Sequence, residues 1–304
     1  MFQLRTLLAA ASAALTVSTS AVADPLSPTR AVNATAFSDS GADHHAQVAM
    51  DAQGHVVVVW TSTNTPAGGV GNDADVMVAY SDDNGRTFSA PQPIAAYELN
   101  DAGADREATV ATDRNGTFLV AWTTSSGAGG LGGEGDLYYV RSTNFGHSWT
   151  APALLNVDGA SDSVVESSPR LTTDAAGVWL AVWSGRGAFG ADADILIARS
   201  TNNGASFGAW TAANGNASTD SGDDRRPAVV ASETGTFVLA WDSTENLSGM
   251  IGSDADLLGC LAPSSGIPGY AWSSNATATA DATQTTFALL GMSVPLYACV
   301  LPPG

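Results

Sequence analysis

A regular internal repeat is the feature that most constrains the fold of this chain. Trp60, Trp122, Trp183 and Trp241 recur at nearly equal intervals, and each ends an apolar run: HVVVVW, TFLVAW, VWLAVW and TFVLAW. One apolar segment precedes each of these runs, a second follows it, and in the first three units a polar turn leads to another. A chain of such units stacks small modules instead of forming one continuous sheet.

The segments of each unit are predicted to be strands. They are short and rich in Val, Ile, Thr and aromatic residues, with Gly, Asp and Asn between them. This pattern predicts a four-stranded antiparallel meander, and from residue 24 on no helical periodicity of useful length is found. A single unit cannot bury both faces, so neighbouring units must stack. The predicted fold is all-β, either a β-propeller or an open linear array.

The segment 27–42 favours the propeller. It aligns with the last strand of a unit whose first three strands are missing. In a closed ring this strand would complete the final unit and remove the exposed sheet edges. The propeller is predicted over residues 24–258, and its four recognisable repeats span about 43–104, 105–165, 166–223 and 224–258.

The segment 1–23 predicts export. A short positive start is followed by the apolar segment Thr6–Val17 and by Ala21-Val22-Ala23, an A-x-A cleavage site. This is the pattern of a secretory signal peptide, and the apolar run is too short to span a membrane. The mature chain is expected to begin near Asp24 and to be secreted or periplasmic.

The charge balance limits the partners. The chain has eleven arginines, no lysine and 30 acidic residues, for a net charge of −19. Such a surface repels phosphate backbones and anionic lipid, so nucleic acid and bare membranes are poor partners, and neither nucleic-acid binding nor a membrane span is predicted. Cys260 and Cys299 could pair in an oxidising compartment, but two cysteines cannot make a disulfide framework.

Three eight-residue turns, SDDNGRTF, STNFGHSW and STNNGASF, follow the third segment of the first three units. The first resembles the Asp-box (BNR repeat) of sialidases and related β-propellers, S-x-D-x-G-x-T-F/W, over a region of roughly residues 27–258. In the other two copies Asn replaces Asp, and Ser replaces Thr. In that family the box lies on the rim, so the turns are expected to be structural. The matching residues are Ser81, Asp83, Gly85, Thr87 and Phe88; Ser142, Asn144, Gly146 and Trp149; and Ser200, Asn202, Gly204 and Phe207.

The resemblance also implies catalytic candidates. Sialidases clamp the substrate carboxylate with three arginines, use a Tyr nucleophile activated by a Glu, and use an Asp as acid/base. The chain departs from that pattern, because it has no F/Y-R-I-P motif and its first inner strand, HHAQVAM, contains no Arg. The two tyrosine candidates alternate in a strand and are expected to face opposite sides. The candidates are Arg106, Arg170 and Arg226; Tyr138 or Tyr139; Glu107 or Glu166; and Asp43 or Asp105.

Acidic residues recur where each inner strand is predicted to begin, at Asp43, Asp105, Glu166 and Asp224. In a propeller these positions approach the axis, where ligands bind. These four acidic residues therefore either line a polar axial site or cap loops and pair with arginine, and both interpretations remain open.

The sequence predicts no cofactor and no zinc site, because His44 and His45 have no third ligand at a usual spacing. The Gly-rich loops after the Trp runs carry acidic-x-Asp pairs, which either hold calcium or form solvated turns. These pairs are Asp73/Asp75, Glu134/Asp136, Asp192/Asp194 and Asp254/Asp256.

The repeat pattern breaks after Leu258, and residues 259–304 are predicted to be a degenerate or frame-shifted segment. Sialidases have six blades, which leaves open whether the chain is truncated. Two functions follow from the resemblance. The first is a secreted, non-catalytic recognition or scaffold module that binds glycans or glycoproteins. The alternative is an exo-α-sialidase-type glycoside hydrolase that cleaves terminal sialic acids. The oligomeric state is not predicted.

Overall fold

The computed structural model describes residues 30–33, 41–63, 73–95, 103–125, 135–159, 161–232, 235–245 and 254–263. Within these ranges the chain is all-β, without a helix, and its strands form four antiparallel sheets. The strands are β1 (Asp43–Met50), β2 (Val56–Ser62), β3 (Asp75–Ser81), β4 (Gln92–Pro93), β5 (Asp105–Thr112), β6 (Phe118–Thr124), β7 (Asp136–Ser142), β8 (Ala153–Leu154), β9 (Val165–Thr173), β10 (Trp179–Arg186), β11 (Ala193–Ser200), β12 (Thr211–Ala212), β13 (Asp224–Ala231), β14 (Thr236–Ser243) and β15 (Asp256–Pro263).

Each sheet is a meander in chain order, which confirms the predicted all-β propeller fold. The sheets are β1 to β4, β5 to β8, β9 to β12 and β13 to β15, and we call them the first to fourth blades. The fourth strand of each of the first three blades is very short. In the fourth blade β15 pairs with the whole of β14 up to Pro263, and so continues past Leu258, where the sequence pattern breaks.

The core lies between consecutive blades. Side chains alternate along β6, so its two faces meet different neighbours. Phe118, Val120 and Trp122 pack against β2 of the first blade, whereas Leu119 and Ala121 pack against β10 of the third. In the first three blades both faces of the middle strand are buried, which explains why the runs before Trp60, Trp122 and Trp183 are continuously apolar. Truncating a fully buried tryptophan in such a core costs about 3–5 kcal/mol.

Each inner strand, β1, β5, β9 and β13, contains a bulge near its start. The bulges contain His45, Glu107, Ser168 and Arg226, with φ of 54°, 55°, 54° and 52°. Left-handed backbone at a residue other than glycine costs on the order of 1 kcal/mol and is retained only where the surrounding structure enforces it. The register of the inner strands is therefore shifted at the same place in all four blades.

Several predictions lie wholly or partly outside the described residues. These are the signal peptide 1–23, most of the closing strand 27–42, Glu134, and the segment after Pro263 with Cys299. Cys260 of β15 is buried in the core between the third and fourth blades. Residues 32–304 form one compact unit that contains every described strand, and residues 1–31 form another. Within the described residues, no helix is long and apolar enough to cross a membrane.

Candidate functional site

The bulges gather polar side chains at the starts of the inner strands, because a bulge re-aims the side chains around it. β1, β5 and β13 begin at Asp43, Asp105 and Asp224, and Glu166 is the second residue of β9. Asp105, Glu166 and Asp224 are buried, whereas Asp43 is exposed. The residues at the bulges are His44 and His45, Arg106 and Glu107, Ser167 and Ser168, and Arg225 and Arg226.

A cleft of about 320 Å³ opens beside the start of β1. Asp43 lies in it and accepts hydrogen bonds from the Trp60 indole at 3.1 Å and from the Asn33 side-chain amide at 2.6 Å. His44 and His45 line the same cleft with their ring centroids 6.1 Å apart. The arrangement combines aromatic and apolar surface with a few oriented polar groups, as small-ligand sites do.

The three candidate arginines are in different environments. Arg226 forms an ion pair with Asp242 in the neighbouring strand β14. The Arg170 guanidinium donates to the Pro169 carbonyl at 2.8 Å. The Arg106 side chain is exposed at the start of β5. Arg226 and Arg170 are thus engaged within their own blades.

Glu107 and the two tyrosines also have structural partners. Glu107 accepts a hydrogen bond from the backbone N–H of Ser168, across the boundary between the second and third blades. Tyr138 packs against Trp122, with ring centroids 6.0 Å apart. Tyr139 faces the other side, where its hydroxyl donates to the Ala205 carbonyl at 3.2 Å. The tyrosines therefore face opposite sides of β7, as their alternation predicted.

Two clusters of carboxylates lie where consecutive blades meet. The first consists of Asp136 at the start of β7, Asp162 in the loop before β9, and Glu166 of β9. The pKa of Glu166 is raised to about 9, mainly by burial and further by the charges of Asp162 and Asp136. Asn156 braces this cluster, because its side-chain amide donates to Asp136 at 3.4 Å and its oxygen accepts from the Leu137 N–H.

The second cluster lies one blade later and shares two of these three positions. It consists of Asp192 and Asp194 at the start of β11 and Asp220 in the loop before β13. Burial raises the pKa of Asp194 to about 7, with the charges of Asp220 and Asp192 adding to the effect. Asp223 lies nearby, but its charge is matched by ion pairs with Arg186 and Arg225.

The three eight-residue turns connect the third and fourth strands of their blades and have a common hydrogen-bond pattern. In the first, Ser81 Oγ donates to Asp83 Oδ1 at 2.8 Å, and the same oxygen accepts from the Thr87 N–H at 2.8 Å. Asn144 and Asn202 accept the equivalent bonds from serine hydroxyls and backbone N–H groups in the other two turns. The replacement of Asp by Asn therefore leaves the turn geometry intact.

The second and third turns also contact the preceding blade. Ideal Cβ atoms on Gly146 and Gly204 would lie 2.5 Å from Val57 of β2 and 2.6 Å from Leu119 of β6. Arg141 of β7 donates to the carbonyl of Asn203 in the third turn at 2.7 Å. The turns thus connect neighbouring blades as well as closing their own hairpins.

The fold defined by these features is that of a sialidase-like β-propeller. A leech intramolecular trans-sialidase complexed with 2,7-anhydro-Neu5Ac is similar over 77% of this chain and 51% of that chain, with a TM-score of 0.51 and 9% identity. The microbial sialidase Hz136 is similar over 71% of this chain and 43% of that one, with a TM-score of 0.49 and 14% identity. The chain thus spans about half the length of these two proteins. No protein-family model and no curated protein matches the chain.

Sequence reasoning did not find the bulges or the full carboxylate clusters. The acidic pair Asp192/Asp194 was identified, but Asp162 and Asp220 were not. A signal for them exists, because Asp162 follows Asp136 at the same interval at which Asp220 follows Asp194. The four bulge positions share no residue type, so a single sequence carries no local signal for them.

Proposed function

We propose that the chain is an exported glycan-recognition propeller that does not catalyse sialoside hydrolysis. The observation that carries the proposal is the engagement of Arg226 by Asp242. A carboxylate clamp needs guanidinium groups that are free to bind the substrate bidentately, and an acid already beside the arginine competes with the substrate. The packing of Tyr138 against Trp122 supports the same conclusion, because a buried aromatic contact is a sufficient reason for a tyrosine there.

The cleft beside β1 is the proposed binding site. His44 and His45 offer ring surfaces to a sugar, and the Asp43 carboxylate, held by the Trp60 indole N–H, offers acceptors for its hydroxyl groups. The net charge of −19 disfavours anionic ligands. The proposed ligand is therefore a neutral glycan. Glycan-related neighbours such as the leech enzyme are consistent with this class, and the predicted signal peptide would place the chain outside the cell.

The test is a glycan-array screen of the purified mature chain, followed by calorimetry on the best neutral glycan. We expect His44→Ala and His45→Ala to weaken binding at least tenfold. His147→Ala is the matched control, because that exposed histidine lies on the turn between β7 and β8. Equal binding by all four proteins, or binding to sialylated glycans alone, would contradict the proposed site.

An exo-sialidase-type activity is the second candidate. The observation that favours it is the exposed Arg106 beside Glu107 at the start of an inner strand. Its test is hydrolysis of a fluorogenic sialoside, with Arg106→Ala and Arg170→Ala as variants. Turnover that either variant abolishes would replace the recognition proposal.

A further inference from the structure

We propose that the two carboxylate clusters bind calcium, with one ion between the second and third blades and one between the third and fourth. The first ion would be bound by Asp136, Asp162 and Glu166, and the second by Asp192, Asp194 and Asp220. This inference does not depend on the proposed glycan binding.

The spacing of the oxygen atoms fits a single cation. Within each cluster, one carboxylate oxygen from each residue lies within 4.8 Å of the others. Calcium binds oxygen at about 2.3–2.6 Å, so two ligands of one ion are at most about 5 Å apart. The donors are all carboxylates, without histidine or cysteine, and such a set suits a hard cation instead of zinc or copper.

Unsatisfied buried carboxylates are the second observation. Asp194 is 0% exposed and Glu166 is 3% exposed. Both oxygens of each carboxylate are buried without a hydrogen-bond partner. A buried charge is normally paired, hydrogen-bonded or bound to a metal, because desolvating it costs several kcal/mol. Among the described residues neither carboxylate has an ion pair, and the charges that act on them are those of other acidic groups.

A neighbouring side chain offers a further oxygen at the second site, and a glycine allows the chain to approach the first site closely. Asn214 lies beside the second cluster, where its amide donates to Asp220 at 3.4 Å and its own oxygen is buried without a partner. In the first cluster, an ideal Cβ on Gly159 would lie 2.6 Å from Asp136 Oδ1. The loop can thus approach the carboxylate closely only because residue 159 is a glycine.

The two clusters share two of their three carboxylates, whereas Glu166 corresponds to Asp224, which is outside the second cluster, and Asp192 corresponds to residue 134. One and the same shift along the chain maps Asp136 onto Asp194, Asp162 onto Asp220 and Asn156 onto Asn214. Each cluster joins the third strand of one blade to the loop that enters the next. A cation there would bind two blades together through these carboxylates.

Calcium titration of the EDTA-treated mature chain tests the proposal. We expect calcium to raise the Tm saturably by about 5 °C or more, because a ligand that binds only the folded state stabilises it. Equal ionic strength from NaCl should not reproduce the rise, and MgCl₂ should give less than half of it. Equilibrium dialysis should find at least two bound calcium ions per chain. Binding of less than one ion, or an equal rise with magnesium, would overturn the assignment.

Asp194→Asn and Glu166→Gln separate metal binding from a structural role. Each variant should lose one equivalent of bound calcium and be less stable than wild type in calcium. In EDTA each should have a Tm at least close to that of wild type, because the amide keeps the shape of the side chain and no hydrogen bond to either carboxylate is lost. Asp82→Asn, in an exposed pair with His147, is the matched control and should retain the full calcium response. The same Tm change in EDTA and in calcium would overturn the proposal.

Discussion

Glu107 of β5 accepts a hydrogen bond from the backbone N–H of Ser168, the residue at the bulge of β9. The bulge of one blade is thus connected to the bulge of the next. A charge-assisted bond of this kind is stronger than a neutral one, and its loss leaves the N–H of a left-handed residue without its partner.

We therefore expect Glu107→Ala to lower the free energy of unfolding by about 1–2 kcal/mol. Glu107→Gln retains an acceptor oxygen and should cost about half as much. Urea denaturation monitored by tryptophan fluorescence measures both. An alanine variant within about 0.5 kcal/mol of wild type would show that the contact contributes little to stability.

The glycines of the eight-residue turns provide a matched pair of substitutions. Gly204 and Gly85 both have positive φ, at 74° and 75°, so alanine strains the backbone equally at both sites. Only at Gly204 would the new Cβ meet another blade, 2.6 Å from a buried Leu119, whereas at Gly85 the nearest atom is 3.8 Å away.

Gly204→Ala should therefore destabilise the chain by about 2–4 kcal/mol and Gly85→Ala by about 1 kcal/mol. The difference measures how tightly the third turn packs against the second blade. Thermal and urea unfolding of the two variants provide the comparison. Equal losses would mean that Leu119 moves aside without cost and that the turn does not hold the blades together.

Asp83 makes the first turn sensitive to acid. Hydrogen bonds from the Thr87 hydroxyl and N–H and from Ser81 lower its pKa to about 2. A carboxylate with a lowered pKa stabilises the fold fully above its unfolded value near 4, and this contribution is lost as the pH falls towards 2. Asn144 and Asn202 occupy the same position in the other turns and do not titrate there.

At about pH 5 the Tm of Asp83→Asn should therefore lie below that of wild type. This difference in Tm should shrink as the pH is lowered from about 5 to about 2, because the wild type loses the contribution of ionised Asp83. At neutral pH the variant should fold normally, because Asn144 donates to the Ser148 hydroxyl where Asp83 accepts from Thr87. Parallel Tm–pH curves for the two proteins would contradict the assignment of this pKa to the turn.

Much of the fold was predictable because it depends on local sequence patterns. The apolar runs that end at Trp60, Trp122, Trp183 and Trp241 became the middle strands. The shortness of the fourth strands, which have two residues each in the first three blades, was not predicted. Pro91 and Pro93 flank or end β4, and proline lacks the N–H that would extend a ladder.

The candidate site was less predictable, because it depends on contacts between blades. Asp192 and Asp194 are visible as a pair in the sequence, but only the fold brings Asp220 beside them. Similarly, nothing local indicates that Arg226 meets Asp242, since that pairing depends on the shifted register of β13 and β14.

A single substitution at the ion pair between Arg226 and Asp242 tests the proposal that the chain does not hydrolyse sialosides. The Arg226 side chain is 75% exposed, so the pair should contribute no more than about 1 kcal/mol to stability. Asp242→Asn releases the arginine without removing it. We expect the variant to fold with a Tm close to that of wild type and to leave a fluorogenic sialoside uncleaved. Asp82→Asn, which opens the exposed pair with His147, is the control. Turnover that appears in Asp242→Asn but not in the control would mean that Asp242 masks a functional carboxylate clamp, and the chain would then be an inhibited sialidase.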